Sequence, residues 1–384
     1  MKILHVVRQF SPSVGGLEDA VLSIARQQRN DAGLDAQVIT LNRVFNNDDF
    51  LAPRDSVSGV PVIRIPWGGS TRYPIAPSVL WHLSGADIVH VHAIDFFFDY
   101  LALTRCLHRH PLVVSTHGGF FHSGAYSRLK KLWFSSITRT SIRAYSRIVA
   151  CSENDAELFA PIAGVRLITI ENGINQEKFS NAASVAPCRT LISFGRFSPH
   201  KRLDLLFPLL SSLRKRNREW KLIIAGRPAE LTVEDLLAMA RQAGVLSAVT
   251  FLPNPSDAEL RRALGEASWF GCLSEHEGFG LAAVEAMSAG LIPVLSAIAP
   301  FRRLVARTGV GVLAKAGDLD ETAGIIESLQ ADGALSVNRF RKQAIAGAQL
   351  YDWKDVAKRY IEVYQDVIRR HPDPPPGVVS AGVS

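Results

Sequence analysis

Short runs rich in Val, Ile and Leu recur along this chain, and between them apolar positions repeat at intervals of three and four. The runs have the length and β-branched content of strands buried on both faces. The spacing between them is that of amphipathic helices. Such alternation predicts an α/β fold with parallel sheets. In the first half the predicted strands are Ile3–Val7, Gln37–Leu41, Pro61–Ile65, Ile88–Val91, Leu112–Ser115, Arg147–Ala150 and Leu167–Ile170. Residues 182–187 break the pattern and read as a linker. A second series follows at Thr190–Phe194, Lys221–Ala225, Val249–Leu252, Trp269–Leu273, Ile292–Leu295 and Val310–Leu313. After Asp318 the pattern is helical to about Arg370, with the last helix starting at Asp352-Trp353. Two doubly wound, Rossmann-like domains facing a cleft are the simplest account, one over 1–183 and one over 184–351. The helix at about 352–370 is expected to pack back on the first. The Pro/Gly/Ser/Val-rich residues 371–384 read as a disordered tail.

One strand-turn-helix stands out. Trp269–Leu273 reads as a strand and Leu281 to Ala289 as a helix, and the turn between them carries Glu277-Gly278-Phe279-Gly280. A helix start presents unpaired N–H groups and the positive end of the dipole, which suits a phosphate. Glu277 and Glu285 lie eight residues apart, a reach of roughly 12 Å on a helix. Two acids at that separation can hold hydroxyls at both ends of a nucleotide-sugar while backbone amides hold its phosphates.

Gly195-Arg196 follows the first strand of the second series, and Lys201 comes five residues later. Both cations leave the C-terminal end of a strand, where such sheets bind ligands, and together they can neutralise a diphosphate. Gly15-Gly16 falls between the first strand and the first helix, where backbone can approach a ligand, but no GxGxxG dinucleotide fingerprint is present. His117 sits just past a strand, before Gly118-Gly119, and could contact a sugar hydroxyl or assist proton movement. His90 and His92 near another strand end rank lower, and the 11 histidines show no metal-ligand spacing.

Composition narrows the classes. The chain has 384 residues, 47% apolar and 21% charged, as in a soluble globular protein. No apolar stretch is long enough to span a membrane, and the N-terminus enters a strand without a signal-peptide cleavage region, so a cytoplasmic location is expected. Cys106, Cys151, Cys188 and Cys272 are scattered and lack zinc or disulfide spacing. A net charge of +7 favours anionic partners, and without a nucleic-acid-binding motif these are phosphorylated ligands or an anionic membrane rather than nucleic acid. Tyr126 to Arg147 reads as a basic amphipathic helix, with Arg128, Lys130, Lys131 and Trp133 as candidate contacts to the inner membrane face or acceptor. The sole Asp-x-Asp, Asp318-Leu319-Asp320, opens a helical run and is explained by N-capping, so no metal is expected.

From Gly15-Gly16 through Gly195-Arg196 and Lys201 to the Glu277/Glu285 pair, the chain resembles the retaining glycosyltransferases of family 4, with the GT-B fold. The acids match that family's Glu-x7-Glu motif. Residues 72–78, 95–103 and 115–122 resemble a group of bacterial exopolysaccharide mannosyltransferases, which use GDP-mannose and cellobiosyl-diphosphopolyprenol. The resemblance implies that Arg196 and Lys201 hold the donor diphosphate, Glu285 the ribose and Glu277 the sugar. It places Gly16 and the Gly280–Leu281 backbone near the phosphates and His117 by the transferred sugar. It also implies transfer with retained configuration; the Asp-x-Asp reading adds the expectation of no metal, and the basic segment that of a protein peripheral to the membrane. Many members have Lys-Gly where this chain has Lys201-Arg202. A UDP- or ADP-sugar donor, or a non-catalytic nucleotide-sugar binder, remain the alternatives.

Overall fold

The structure is a computed structural model and describes residues 1–13, 15–45, 49–71, 73–117, 133–315 and 317–371. It divides into two compact units, residues 1–173 with the segment from Trp353 onward, and residues 174–352.

In the first unit the strands are β1 (Lys2–Val6), β2 (Asp35–Leu41), β3 (Arg54–Val57), β4 (Val60–Ile65), β5 (Gly68–Ser70), β6 (Tyr73–Ile75), β7 (Ile88–His92), β8 (Leu112–Ser115), β9 (Arg147–Ala150) and β10 (Leu167–Thr169). Eight of them form one sheet in the order β10-β9-β8-β7-β1-β2-β4-β3, and β5 pairs separately with β6. All neighbours in the large sheet run parallel except β3 with β4. Leu4, Val6, Val89, Val91 and Val114 face one core, beneath α2 (Phe96–Leu103). Ile3, Ile88, Val113 and Val149 face the other, beneath α1 (Gly16–Asn30) and the last helix. Residues buried on both faces account for the near-continuous apolar runs in the sequence.

In the second unit β11 (Thr190–Phe197), β12 (Lys221–Pro228), β13 (Val249–Pro253), β14 (Trp269–Cys272), β15 (Ile292–Ser296) and β16 (Val312–Ala314) form a parallel sheet in the order β13-β12-β11-β14-β15-β16. Strand order reverses between β11 and β14. A doubly wound sheet opens a ligand crevice at the carboxyl ends of strands flanking such a point. The helix α3 (Leu281–Ala289) follows β14.

The strands read from the apolar pattern are all present within a few residues. Those the pattern did not give are β3, β5 and β6, short and largely exposed segments that lack a buried apolar run. The unit boundary falls at Gly173/Ile174, ten residues before the break expected at 183. Ile174, Phe179 and Ala183 are buried in the second unit's core. The amides of Asn181, Ala183 and Ser184 bond to carbonyls of Ser288, Ala289 and Ala267, which ties the expected linker to that unit. The helix α4 (Trp353–Arg370) lies in the first unit, burying Trp353, Val356, Tyr360, Val363, Tyr364 and Val367 at helical spacing. A Cβ at Gly173 would meet the Trp353 ring at 2.8 Å, so only glycine allows this approach. No helix among the described residues is long and apolar enough to cross a membrane.

Candidate active site

The second unit gathers the predicted cations and acid at its carboxyl strand edge. At the end of β11 the buried apolar run gives way to Gly195, with φ +142°, and exposed Arg196. The neighbouring glycine on β12, Gly226, is equally obligatory, because a Cβ there would lie 1.7 Å from the Gly195 oxygen. After β11 a 3-10 turn, Pro199–Lys201, ends at Arg202 in the left-handed region and swings Lys201 inward. Its Nζ donates to Glu277 Oε1 at 2.7 Å, and Ser274 Oγ donates to the same oxygen at 2.6 Å. The Lys201 and Glu277 side chains are only 23% and 11% exposed, so solvent screens the pair weakly. Arg196 and Lys201 line one pocket, with Ser193, Gly195, Ala225 and Cys272. Burial, with the nearby Glu277 charge, pushes the Cys272 thiol up to about 11, so it is a neutral wall.

The turn after β14 is set by packing. Phe279 places its ring 5.2 Å from that of Tyr351. Gly280 has φ +90°, and a Cβ on it would meet Phe301 at 2.4 Å. The helix α3 therefore begins at Leu281, with its first amides at the strand edge beside Glu277 and Gly278. Glu285 is half-buried in mid-helix. A lysine and an arginine beside a helix start, with an oriented carboxylate, can bind a diphosphate carrying a polar sugar and stabilise the charge that grows as the diphosphate leaves.

In the first unit Gly15 caps α1 in extended conformation, and Gly16 is its first residue, at the carboxyl end of β1. A Cβ at Gly16 would meet nothing within 4 Å, so the backbone is open to a ligand. His117 follows β8 with φ +50°. Its Nε2 lies 2.9 Å from His92 Nδ1 and its Nδ1 3.6 Å from Cys151 Sγ. Desolvation lowers it to about 3. Both ring nitrogens of His117 thus have partners within the first unit, and desolvation keeps the ring neutral.

Trp133 is half-buried in the first unit. Its ring stands 5.8 Å from Tyr73 and its indole hydrogen-bonds Asp99, so it belongs to this unit's packing. Arg128, Lys130, Lys131 and Gly118-Gly119 lie outside the described residues, as do Arg72 and residues 372–384. Asp318 caps its helix through Glu321 N at 3.0 Å, and Asp320 pairs with Arg216 at 2.8 Å, so both acids of the Asp-x-Asp have structural partners. Sequence reasoning missed Gly226, Ser274 and a buried cluster of His5, His90 and His92. The signal for the cluster was present: His90 and His92 alternate on β7, one face of a strand. Their neighbour on β1 could not be read from either strand alone.

A parallel sheet whose carboxyl edge carries two cations, one of them paired with an acid, is suited to the diphosphate of a nucleotide-sugar, the donor of a glycosyltransferase. The profile of Glycosyltransferase Family 4 matches residues 14–178, and that of Glycosyl transferases group 1 matches residues 175–347. The chain belongs to this glycosyltransferase family, with the GT-B fold. It is 54% identical over 370 residues to a GDP-mannose:cellobiosyl-diphosphopolyprenol alpha-mannosyltransferase of Komagataeibacter xylinus, covering 96% of this chain and 94% of that one. The enzyme of the same name from Xanthomonas campestris is 46% identical over 366 residues, covering 95% and 96%. Among solved structures, Anabaena HepE in complex with UDP matches with TM-score 0.74 at 20% identity, covering 95% of this chain and all (100%) of that one. Sucrose-phosphate synthase of Thermosynechococcus elongatus matches with TM-score 0.74 at 15% identity, covering 96% and 99%. These two likenesses concern the fold.

Proposed function

We propose that the chain transfers mannose from GDP-mannose to cellobiosyl-diphosphopolyprenol, with retained configuration and without a metal, at the inner face of the cytoplasmic membrane. The observation that carries this reading is the near-full-length similarity, 54% over 96% of the chain, to a relative that bears this activity in its name. The cationic carboxyl edge of the second unit supports it chemically. Arg196 and Lys201 take the donor diphosphate, the α3 amides after Gly280 approach its oxygens, Glu285 binds the ribose and Glu277 the mannose. The Gly16 backbone and His117 are read as further donor contacts.

The acceptor hydroxyl attacks the anomeric carbon on the face the diphosphate leaves. The bond from that carbon to the phosphate oxygen breaks, the bond to the acceptor oxygen forms, and the hydroxyl proton passes to the departing phosphate oxygen. Arg196 and Lys201 stabilise the charge on the GDP that leaves. Incubation with a panel of nucleotide-sugars and cellobiosyl-lipid diphosphate, with and without chelator, tests the reading by mass spectrometry. GDP-mannose alone is expected to add one hexose, chelator or not. Transfer from a UDP- or ADP-sugar instead, or no transfer at all, would replace it.

A further inference from the structure

On four neighbouring strands of the first sheet, one face changes character along its length. It runs from Ile3 to His5 on β1, from Ile88 to His90 and His92 on β7, and from Val113 to Ser115 and then His117 at β8. From β9 it runs from Val149 to Cys151. The apolar half packs on α1 and α4. The polar half, toward the carboxyl ends, is also covered: His5, His90, His92 and Ser115 have no exposed surface (0%), and Cys151 has little (3%). Buried polar groups cost free energy unless they are paired. Here every one finds a partner in a single closed circuit.

The circuit can be followed atom by atom. Gln28 Oε1, on α1, is 2.8 Å from His5 Nε2, and His5 Nδ1 is 2.9 Å from His92 Nε2. His92 Nδ1 meets His117 Nε2, and His117 Nδ1 meets Cys151 Sγ. Cys151 Sγ lies 3.9 Å from Tyr360 Oη on α4, which is 3.1 Å from Ser115 Oγ. Ser115 Oγ is 2.8 Å from His90 Nε2, and His90 Nδ1 is 2.8 Å from Tyr364 Oη. Tyr364 Oη accepts from Gln28 Nε2 at 3.3 Å, which closes the circuit.

The Gln28 amide fixes its direction, because an amide oxygen only accepts and an amide nitrogen only donates. His5 must therefore donate from Nε2 and, being neutral, accept at Nδ1. His92 must then donate from Nε2 and accept at Nδ1, and His117 must carry its proton on Nε2 and accept at Nδ1 from the Cys151 thiol. From the other end, Tyr364 donates to His90 Nδ1, His90 to Ser115, Ser115 to Tyr360 and Tyr360 to Cys151. All nine bonds run the same way, so no donor faces a donor. Burial supports the protonation states required: it lowers His5 to about 4, takes His90 and His92 well below their usual value, and raises Cys151 to about 12. Asp155, the carboxylate acting on Cys151, is itself held by Thr116 Oγ1 at 2.8 Å.

We infer that this circuit is a positioning device for transfer: Gln28 of α1 and Tyr360 and Tyr364 of α4 act through the buried histidines to hold His117 in one tautomer and one orientation. The inference rests on the reading of His117 as a donor-site residue. His117 then contributes a fixed, non-titrating surface and its left-handed backbone, and the circuit contributes the fixity.

The test uses the full chain labelled with 15N-histidine. The wild-type imidazole spectrum is expected to show His117 with its proton on Nε2, unchanged from pH 8 to 5. Gln28→Leu removes the amide that sets the direction, and Tyr364→Phe breaks the circuit with a smaller change should Gln28→Leu fail to fold. Gln28→Leu is expected to mix the His117 tautomers directly, and Tyr364→Phe to do so by releasing the Gln28 amide, whose nitrogen the Tyr364 hydroxyl holds at 3.3 Å, to turn over. Each should lower kcat per folded molecule by about tenfold or more while KM for GDP-mannose stays within about twofold, as misplacement of a reacting geometry does. A wild-type His117 protonated on Nδ1, or titrating above pH 6, would overturn the inference. So would variants that melt earlier yet keep full kcat, since that is a structural role alone. Stoichiometric zinc uptake that His5→Gln abolishes would give the three imidazoles to a metal and also overturn it. Normal turnover in His117→Ala, with the expected wild-type tautomer, would trace the failure to the reading of His117 rather than to the circuit.

Discussion

At the scale of residues, the second unit's site is organised by one ion pair. Lys201 and Glu277 are 76 positions apart in the chain, yet Nζ sits 2.7 Å from Oε1, an oxygen that also accepts from Ser274 Oγ and the Cys272 thiol. A bound diphosphate would compete with Glu277 for the ammonium and leave the carboxylate to the sugar hydroxyls. Lys201→Ala is therefore expected to lower kcat about 100-fold or more, the scale of losing one aimed charge in a closed site. Glu277, only 11% exposed, is left without its cation, so a stability loss of roughly 1–3 kcal/mol is expected as well, and turnover is compared per folded molecule. Steady-state turnover beside a denaturation curve checks both, and near-normal turnover would remove this account of the leaving group. Spacing and chemistry made Arg196, Lys201, Glu277 and Glu285 legible in the sequence. That Lys201 and Glu277 touch was not, because nothing local encodes that β11 and β14, with β12 and β13 between them in the chain, lie side by side in the sheet.

At the scale of elements, the start of α3 decides where the amides point. Gly280 holds φ +90° with Phe301 against it, and Gly290 ends the helix with φ +95°. Gly280→Ala must both strain the backbone and displace the Phe301 ring. A loss of about 1–3 kcal/mol in stability and a raised KM for GDP-mannose are expected. Gly278→Ala is the control, since a Cβ there meets open space and its φ is not positive. Equal behaviour of the two variants, in denaturant midpoint and KM, would contradict this view of the turn. The α3 limits could be read from its flanking glycines. The role of α4 could be read only in part: its apolar stripe was visible, but the destination of Tyr360 and Tyr364, hydroxyls closing a polar circuit, was not.

At the scale of the whole molecule, the buried histidines dominate the response to acid. A histidine held neutral in the folded state takes up its proton only on unfolding. Its contribution is present above the usual value near 6.5 and is lost as pH falls toward the folded value, about 4 for His5 and about 3 for His117. His90 and His92 act in the same sense. Asp95, pushed up to about 7 by burial, and Asp99, raised in the same way, act oppositely and offset part of this. The histidines outnumber the two aspartates, so a net loss of stability is expected as pH falls below about 6.5. Urea midpoints followed by tryptophan fluorescence at pH 7, 6 and 5 measure this, and an unchanged midpoint would refute it. The sequence by itself determined the α/β class, the buried strands, the helix starts and the types of residue offered to a ligand. Those follow from local periodicity and from backbone preferences within a few residues. Only the tertiary structure decided which side chains meet: the Lys201–Glu277 pair, the unit boundary at 173/174 and the histidine circuit. Parallel strands adjoin in an order the chain does not spell out, and each of these contacts joins residues that are far apart along it.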